Sequence, residues 1–177
     1  MTEAPPDDDL LKVASAIVEG VPDTEVVISK LRDLLDVDHI AYVLLKPGAA
    51  PYVRLTYPAS WILRYLQSGY TTIDPISREG SKRTLPFKWS EIPIKNAAEA
   101  SFFKDALSYG IGPHGYSIPL NKDGYKGLFS ISFSRSEKEW IDFLQATENI
   151  LAQIAARLHR RVVGEVLGKG IAPGGSK

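Results

Sequence analysis

Cysteine is absent from the 177 residues, which excludes a disulfide framework, a thiolate metal site and a cysteine nucleophile together. Histidine is scarce, with only His39, His114 and His159, and their scatter argues against a histidine-rich metal centre. Charge of one sign is lacking too: 21 Lys plus Arg balance 21 Asp plus Glu. Without a basic field, this stretch of chain is not expected to contact DNA itself. No apolar run approaches the ~20 residues of a membrane span, and Met1 to Leu10 is acidic where a secretory leader is basic and then apolar. The expectation is a cytoplasmic protein with no membrane partner.

What is present is a globular composition, 44% hydrophobic and 10% aromatic, long enough for one domain with a real core. Residues 1–7 read as a flexible lead and 8–164 as the domain. Apolar spacing predicts a first helix from Asp7-Asp8-Asp9 to Gly20 and a second from Asp23 or Thr24 to Asp36. His39 to Leu45 has the β-branched and aromatic character of a buried strand, and Tyr52 to Thr56 is its hairpin partner. A helix over about 58–68 follows, then a turn or helix opened by Asp74-Pro75, then an irregular basic segment from Arg78 to Lys88.

Asn96 caps a helix to Tyr109, and a glycine-rich turn containing His114 leads to strands over 116–120 and 127–133 joined by an Asp-Gly hairpin. In the second strand Leu128, Ser130 and Ser132 alternate with Phe129, Ile131 and Phe133. Ser136 to Glu139 is a capping box that starts a helix of about 28 residues, roughly 42 Å long. Its free end is a candidate partner surface. The cluster Arg157, His159, Arg160 and Arg161 reads as a solvated helix terminus. Gly164, Gly168 and Gly170 are expected to break everything after it, so that residues 165–177 begin a linker. This order of elements favours an α+β fold, an α-β-α sandwich with a central antiparallel sheet, which can leave a cavity between the sheet and one helical layer.

The stretch from Tyr57 to Trp89 carries the chemistry. Trp61 and Tyr65 are four residues apart and share a helix face, Asp74 precedes Pro75, and Trp89 closes the block. Singly these are ordinary packing, turn or cap residues. As an ordered set, with Gly115-x-x-x-Pro119-Leu120 and Ser130, they resemble the N-terminal ligand-binding domain of LuxR-type quorum-sensing transcription factors, which bind acyl-homoserine lactones. That resemblance covers about residues 8–164.

The resemblance implies the sandwich fold already favoured, a homodimer, and DNA contact through a C-terminal helix-turn-helix domain that would follow the linker. It implies no cofactor and no catalytic residue. Trp61 would donate to the lactone carbonyl and Asp74 accept from the amide N–H. Tyr57 and Ser130 would hold the acyl carbonyl, and Tyr65 and Trp89 would wall the site. Indole only donates and an ionised carboxylate only accepts, so the two cannot exchange roles. Candidates for the acyl pocket are Tyr42, Leu44, Ile76, Phe103, Ile111 and Leu128, with Ile40, Leu55 and Ile73. Their aromatic and β-branched weighting points to a short, branched or aryl acyl group. Two other classes compete: a PAS- or GAF-like sensor of another small molecule, and an acyl hydrolase using Ser130 or Ser132 with Asp74. The hydrolase lacks a Gly-x-Ser-x-Gly elbow.

Overall fold

The computed structural model describes residues 7–46 and 48–170. Helices α1 (Asp7–Gly20) and α2 (Thr24–Leu35) precede strands β1 (His39–Leu44) and β2 (Tyr52–Leu55). Helices α3 (Ala59–Gln67) and α4 (Pro75–Lys82), strand β3 (Phe87–Lys88) and helix α5 (Ala97–Ser108) follow. Strands β4 (His114–Lys122) and β5 (Tyr125–Phe133) then lead into α6 (Glu137–Gly170). The five strands form one antiparallel sheet in the order β2-β1-β5-β4-β3. Among the described residues no helix is long and apolar enough to cross a membrane.

The period-two pleat sorts the side chains into two cores. Phe129, Ile131 and Phe133 of β5, with Tyr116 and Ile118 of β4, join α1, α2 and α6 in the larger one. The smaller gathers Trp61, Tyr70, Phe87, Trp89, Phe102 and Ile111 under α3 and α5 on the opposite face. The sandwich and the alternation of β5 are thus as expected. The hairpin between β4 and β5 is a two-residue turn with Asp123 and Gly124 both at positive φ (53° and 82°), the conformation that an Asp-Gly pair favours.

Several local expectations need correcting. Tyr42 and Leu44, expected in the ligand pocket, belong to the larger core together with Ile40, because they share one parity along β1. It is Ala41 and Val43, opposite Ser130 and Leu128, that face the smaller core. The basic segment is irregular only over 83–86: α4 runs through Lys82, and Phe87-Lys88 pairs with β4 as the edge strand. His114 opens β4 instead of sitting in a loop, and its ring stacks on Trp140 at 5.6 Å.

Helix α6 spans 34 residues, about 51 Å, and continues past Gly164 and Gly168. Burial of Leu158, Val162 and Val163 holds this stretch against α1 and the sheet and offsets the roughly 1 kcal/mol cost of each interior glycine. Residues 165–170, expected as linker, are therefore helical, while 171–177 and lead residues 1–6 lie outside the described residues. The basic cluster is a wet terminus only in part: Arg160 is exposed, while His159 and Arg161 turn inward. Arg161 donates to the carbonyl oxygens of Val18, Val21 and Pro22, closing the end of α1.

His159 is buried between α6 and the sheet, where Gly127 leaves room for its ring. Its Nε2 lies 2.9 Å from the Tyr125 carbonyl, which can only accept, so Nε2 carries the proton. Nδ1 then accepts from the Tyr42 hydroxyl at 2.8 Å. Burial holds this imidazole, and that of His39, below the ordinary histidine range. Below pH ~6.5 the unfolded chain therefore binds protons that the folded one resists, and stability falls with falling pH. Denaturant unfolding should give a plateau above about pH 7 and a decline through pH 6.5. His159→Gln should reduce that slope; a slope unchanged by the substitution would assign it elsewhere.

Candidate ligand-binding site

Helix α3 presents Trp61 and Tyr65 to the smaller core, their ring centroids 6.0 Å apart and nearly perpendicular. The Trp61 ring also meets Tyr70, Phe102 and Tyr109 at 5.8, 5.9 and 5.5 Å, so its plane is set from several sides. The helix is clamped to α5 through Asp105, which accepts from Arg64 at 2.6 Å and from the Tyr70 hydroxyl at 2.7 Å.

Asp74 is the N-cap of α4, with Pro75 in the first helical position where its missing N–H costs nothing. One carboxylate oxygen accepts from the backbone N–H groups of Ile76 and Ser77 at 2.8 and 3.2 Å. The other accepts from the Tyr65 hydroxyl at 2.8 Å and the Ser77 hydroxyl at 3.1 Å. Burial raises the pKa of this carboxyl, and the bonds from Tyr65, Ser77 and Ile76 oppose the rise. Burial and the Asp74 charge in turn push the Tyr57 and Tyr65 hydroxyls well above the ordinary phenol range, so both remain protonated donors. Helix α4 is itself fixed by Arg78, which reaches Glu79, Glu99 and the Pro93 carbonyl.

The floor is the β4–β5 pair. Trp89 donates its indole N–H to Ser117 Oγ at 3.0 Å, and Ser117 Oγ lies 2.6 Å from Ser130 Oγ. The indole is seated on Gly115: a Cβ there would fall 1.8 Å from the ring. Ser132, next along the same face, has a buried hydroxyl with no partner among the described residues. A cavity of about 160 Å³ opens between the sheet and α4, lined by Val43, Pro119 and Leu128 on one side and Ser77, Gly80 and Ser81 on the other. Lys82, Arg83 and Lys126 also line it, whereas Trp61 and Asp74 do not.

The structure thus brings Tyr57, Trp61, Tyr65, Ile73, Ile76, Trp89, Phe103, Ile111 and Leu128 to one cluster. Asp74 joins through Tyr65, and Ser130 through Ser117 and Trp89. Leu55 pairs with Ala41 on that face. Ile40, Tyr42 and Leu44 are excluded by the sheet itself. Sequence reading missed Ser117, Tyr70 and Tyr109. For Ser117 a signal existed: it alternates with Tyr116 and Ile118, which places it on the face of Gly115 and Pro119.

The comparisons agree with this architecture. The chain is similar over 114 residues, at 31% identity, to the transcriptional activator protein RaiR of Rhizobium etli, covering 64% of this chain and 47% of that protein. It spans about half the length of the curated relatives it matches. Its fold is similar to that of the N-acylhomoserine lactone dependent LuxR family factor CepR2 of Burkholderia cenocepacia, with a TM-score of 0.72 at 21% identity over 89% of this chain and 98% of that one. A GAF domain of a phosphoenolpyruvate-protein phosphotransferase from Coxiella burnetii also shares the fold, with a TM-score of 0.59 at 14% identity over 93% and 97% of the two chains. Residues 25–162 match the autoinducer binding domain family. Because that match runs unbroken from α2 into α6, the chain belongs to the autoinducer-binding domain family of LuxR-type regulators.

Proposed function

We propose that this domain is the sensor of a quorum-sensing transcriptional regulator, binding an N-acyl-homoserine lactone with a short, branched or aryl acyl group. Ligand occupancy would then control dimerisation and DNA binding through a further domain. One observation carries the reading: Asp74 is an anchored acceptor beside the Trp61–Tyr65 pair, on the face that also holds Tyr57 and the Ser117–Ser130 hydroxyls. Such a ligand has two carbonyl acceptors and one amide donor. The site supplies two kinds of donor, indole and hydroxyl, and one carboxylate acceptor.

A non-catalytic role is supported by the setting of Ser130, whose Oγ bonds Ser117 and not an imidazole. His39, which pairs with Ser132 across β1 and β5, spends Nδ1 on the Thr56 carbonyl at 3.1 Å. A GAF-like sensor of a different small molecule is the second reading, favoured by the shared fold.

Thermal unfolding against a panel of acyl- and aroyl-homoserine lactones separates these readings. A cognate ligand at one hundred times its dissociation constant should stabilise by about 2.7 kcal/mol, some 5–11 °C for a domain of this size. Aryl, branched or short chains should outrank a linear twelve-carbon chain. No shift with any lactone would sink the proposal, and a clear win for the twelve-carbon ligand would sink the acyl preference alone.

A further inference from the structure

Resting on that reading, we infer that Ser117 is a positioning residue, the middle of a hydrogen-bond relay that turns the Ser130 hydroxyl into a donor aimed at the ligand's acyl carbonyl. The direction follows from counting protons. The Trp89 indole can only donate, so Ser117 Oγ accepts at 3.0 Å. Ser117 and Ser130 are 2.6 Å apart and share one proton between them, leaving one hydroxyl proton over.

Strand register shows where the spare proton goes. Along one row of the sheet face lie Leu55, Ala41, Ser130, Ser117 and Phe87. A spare proton on Ser117 would sit against the buried Phe87 ring, which offers no oxygen. On Ser130 it sits beside Ala41, whose small side chain leaves the floor low for a ligand atom. The chain Trp89 to Ser117 to Ser130 to ligand therefore leaves every donor occupied. Each hydroxyl in it is polarised by the one before. Gly115 completes the device, because only a residue without Cβ lets the indole lie flat enough to reach two residues along β4.

The test is isothermal titration of wild type, Ser117→Ala, Ser117→Thr and Ser130→Ala with N-benzoyl- and N-butanoyl-homoserine lactone. Each ligand is paired with its N-benzyl or N-butyl counterpart, in which the acyl carbonyl is a methylene. Ser117→Ala should weaken the acyl ligands by roughly 3- to 10-fold and leave the carbonyl-free counterparts within about twofold, which also shows the site is folded. Ser117→Thr should restore binding, and Ser117→Ala should add nothing to Ser130→Ala. Equal losses for both ligand types, or none, would overturn the relay while leaving the sensor reading standing. Failure of wild type to bind these two or any other lactone of the panel would overturn both.

Discussion

Asp74→Ala should abolish ligand-dependent stabilisation and also lower the melting point of the unliganded domain, whereas Asp74→Asn should weaken the ligand response and lower the melting point less. The alanine variant removes an N-cap, worth about 1 kcal/mol. It also leaves the half-buried Tyr65 hydroxyl and the first N–H groups of α4 without the acceptor they now share. An orphaned buried donor costs roughly 1–3 kcal/mol, so the sum is about 2–4 kcal/mol. For a domain of this length that is a fall of roughly 4–16 °C.

Asparagine is as good a cap as aspartate and keeps one oxygen for Ile76 and Ser77. Its amide group, however, would meet the ligand N–H with hydrogens where the carboxylate offers an oxygen, and the Tyr65 and Ser77 hydroxyls that donate to that oxygen would have to turn and accept. Losing a hydrogen bond to a charged acceptor, about 1.5–3 kcal/mol, weakens binding by roughly 10- to 150-fold. Melting curves of both variants, with and without the best lactone of the panel, separate scaffold from recognition. An asparagine variant that responds to ligand as wild type does would show that the ligand amide bonds elsewhere.

Gly115→Ala should be the most damaging substitution of a single methyl group in the domain. The added Cβ would lie 1.8 to 2.3 Å from three atoms of the Trp89 ring, so the whole indole is displaced. Trp89 is buried and its N–H is spent on Ser117, so displacement loses ring packing and a hydrogen bond together. Overpacking alone costs about 1–3 kcal/mol, and the displaced ring brings the total to roughly 3–5 kcal/mol. A double-variant cycle gives the proof: with Trp89→Ala already in place, the alanine at 115 should cost little more. Additive losses would mean that the strand, not the ring, suffers.

The layered fold was legible from the sequence because its signals are periodic. The alternation of β5 and the spacing of α6 both describe which surface is buried, and burial decides the element. The Asp74-Pro75 pair was legible as a helix start for the same local reason, a cap followed by a residue that needs no donor. The far end of α6 was not, since helix propensity favours stopping at Gly164 while packing of Val162 and Val163 carries the helix on.

Assigning Tyr42 and Leu44 to the site failed for want of parity. Both are large and apolar enough for either face, and only the register of β1 against β5 shows which one they take. Ser117 is the converse case. A serine between Tyr116 and Ile118 reads as an interruption until the indole of Trp89, far away in sequence, is found bonded to it.

The two-sided pleat of β5 also limits how such a domain can diversify. Inserting or deleting one residue between Leu128 and Phe133 would carry Ser130 and Ser132 into the oily layer beneath α6 and throw phenylalanines onto the recognition floor. Lineages built on this frame are thus expected to retune selectivity by point replacement within the strands, and to accommodate changes in length at the bends between them, where neither layer is disturbed.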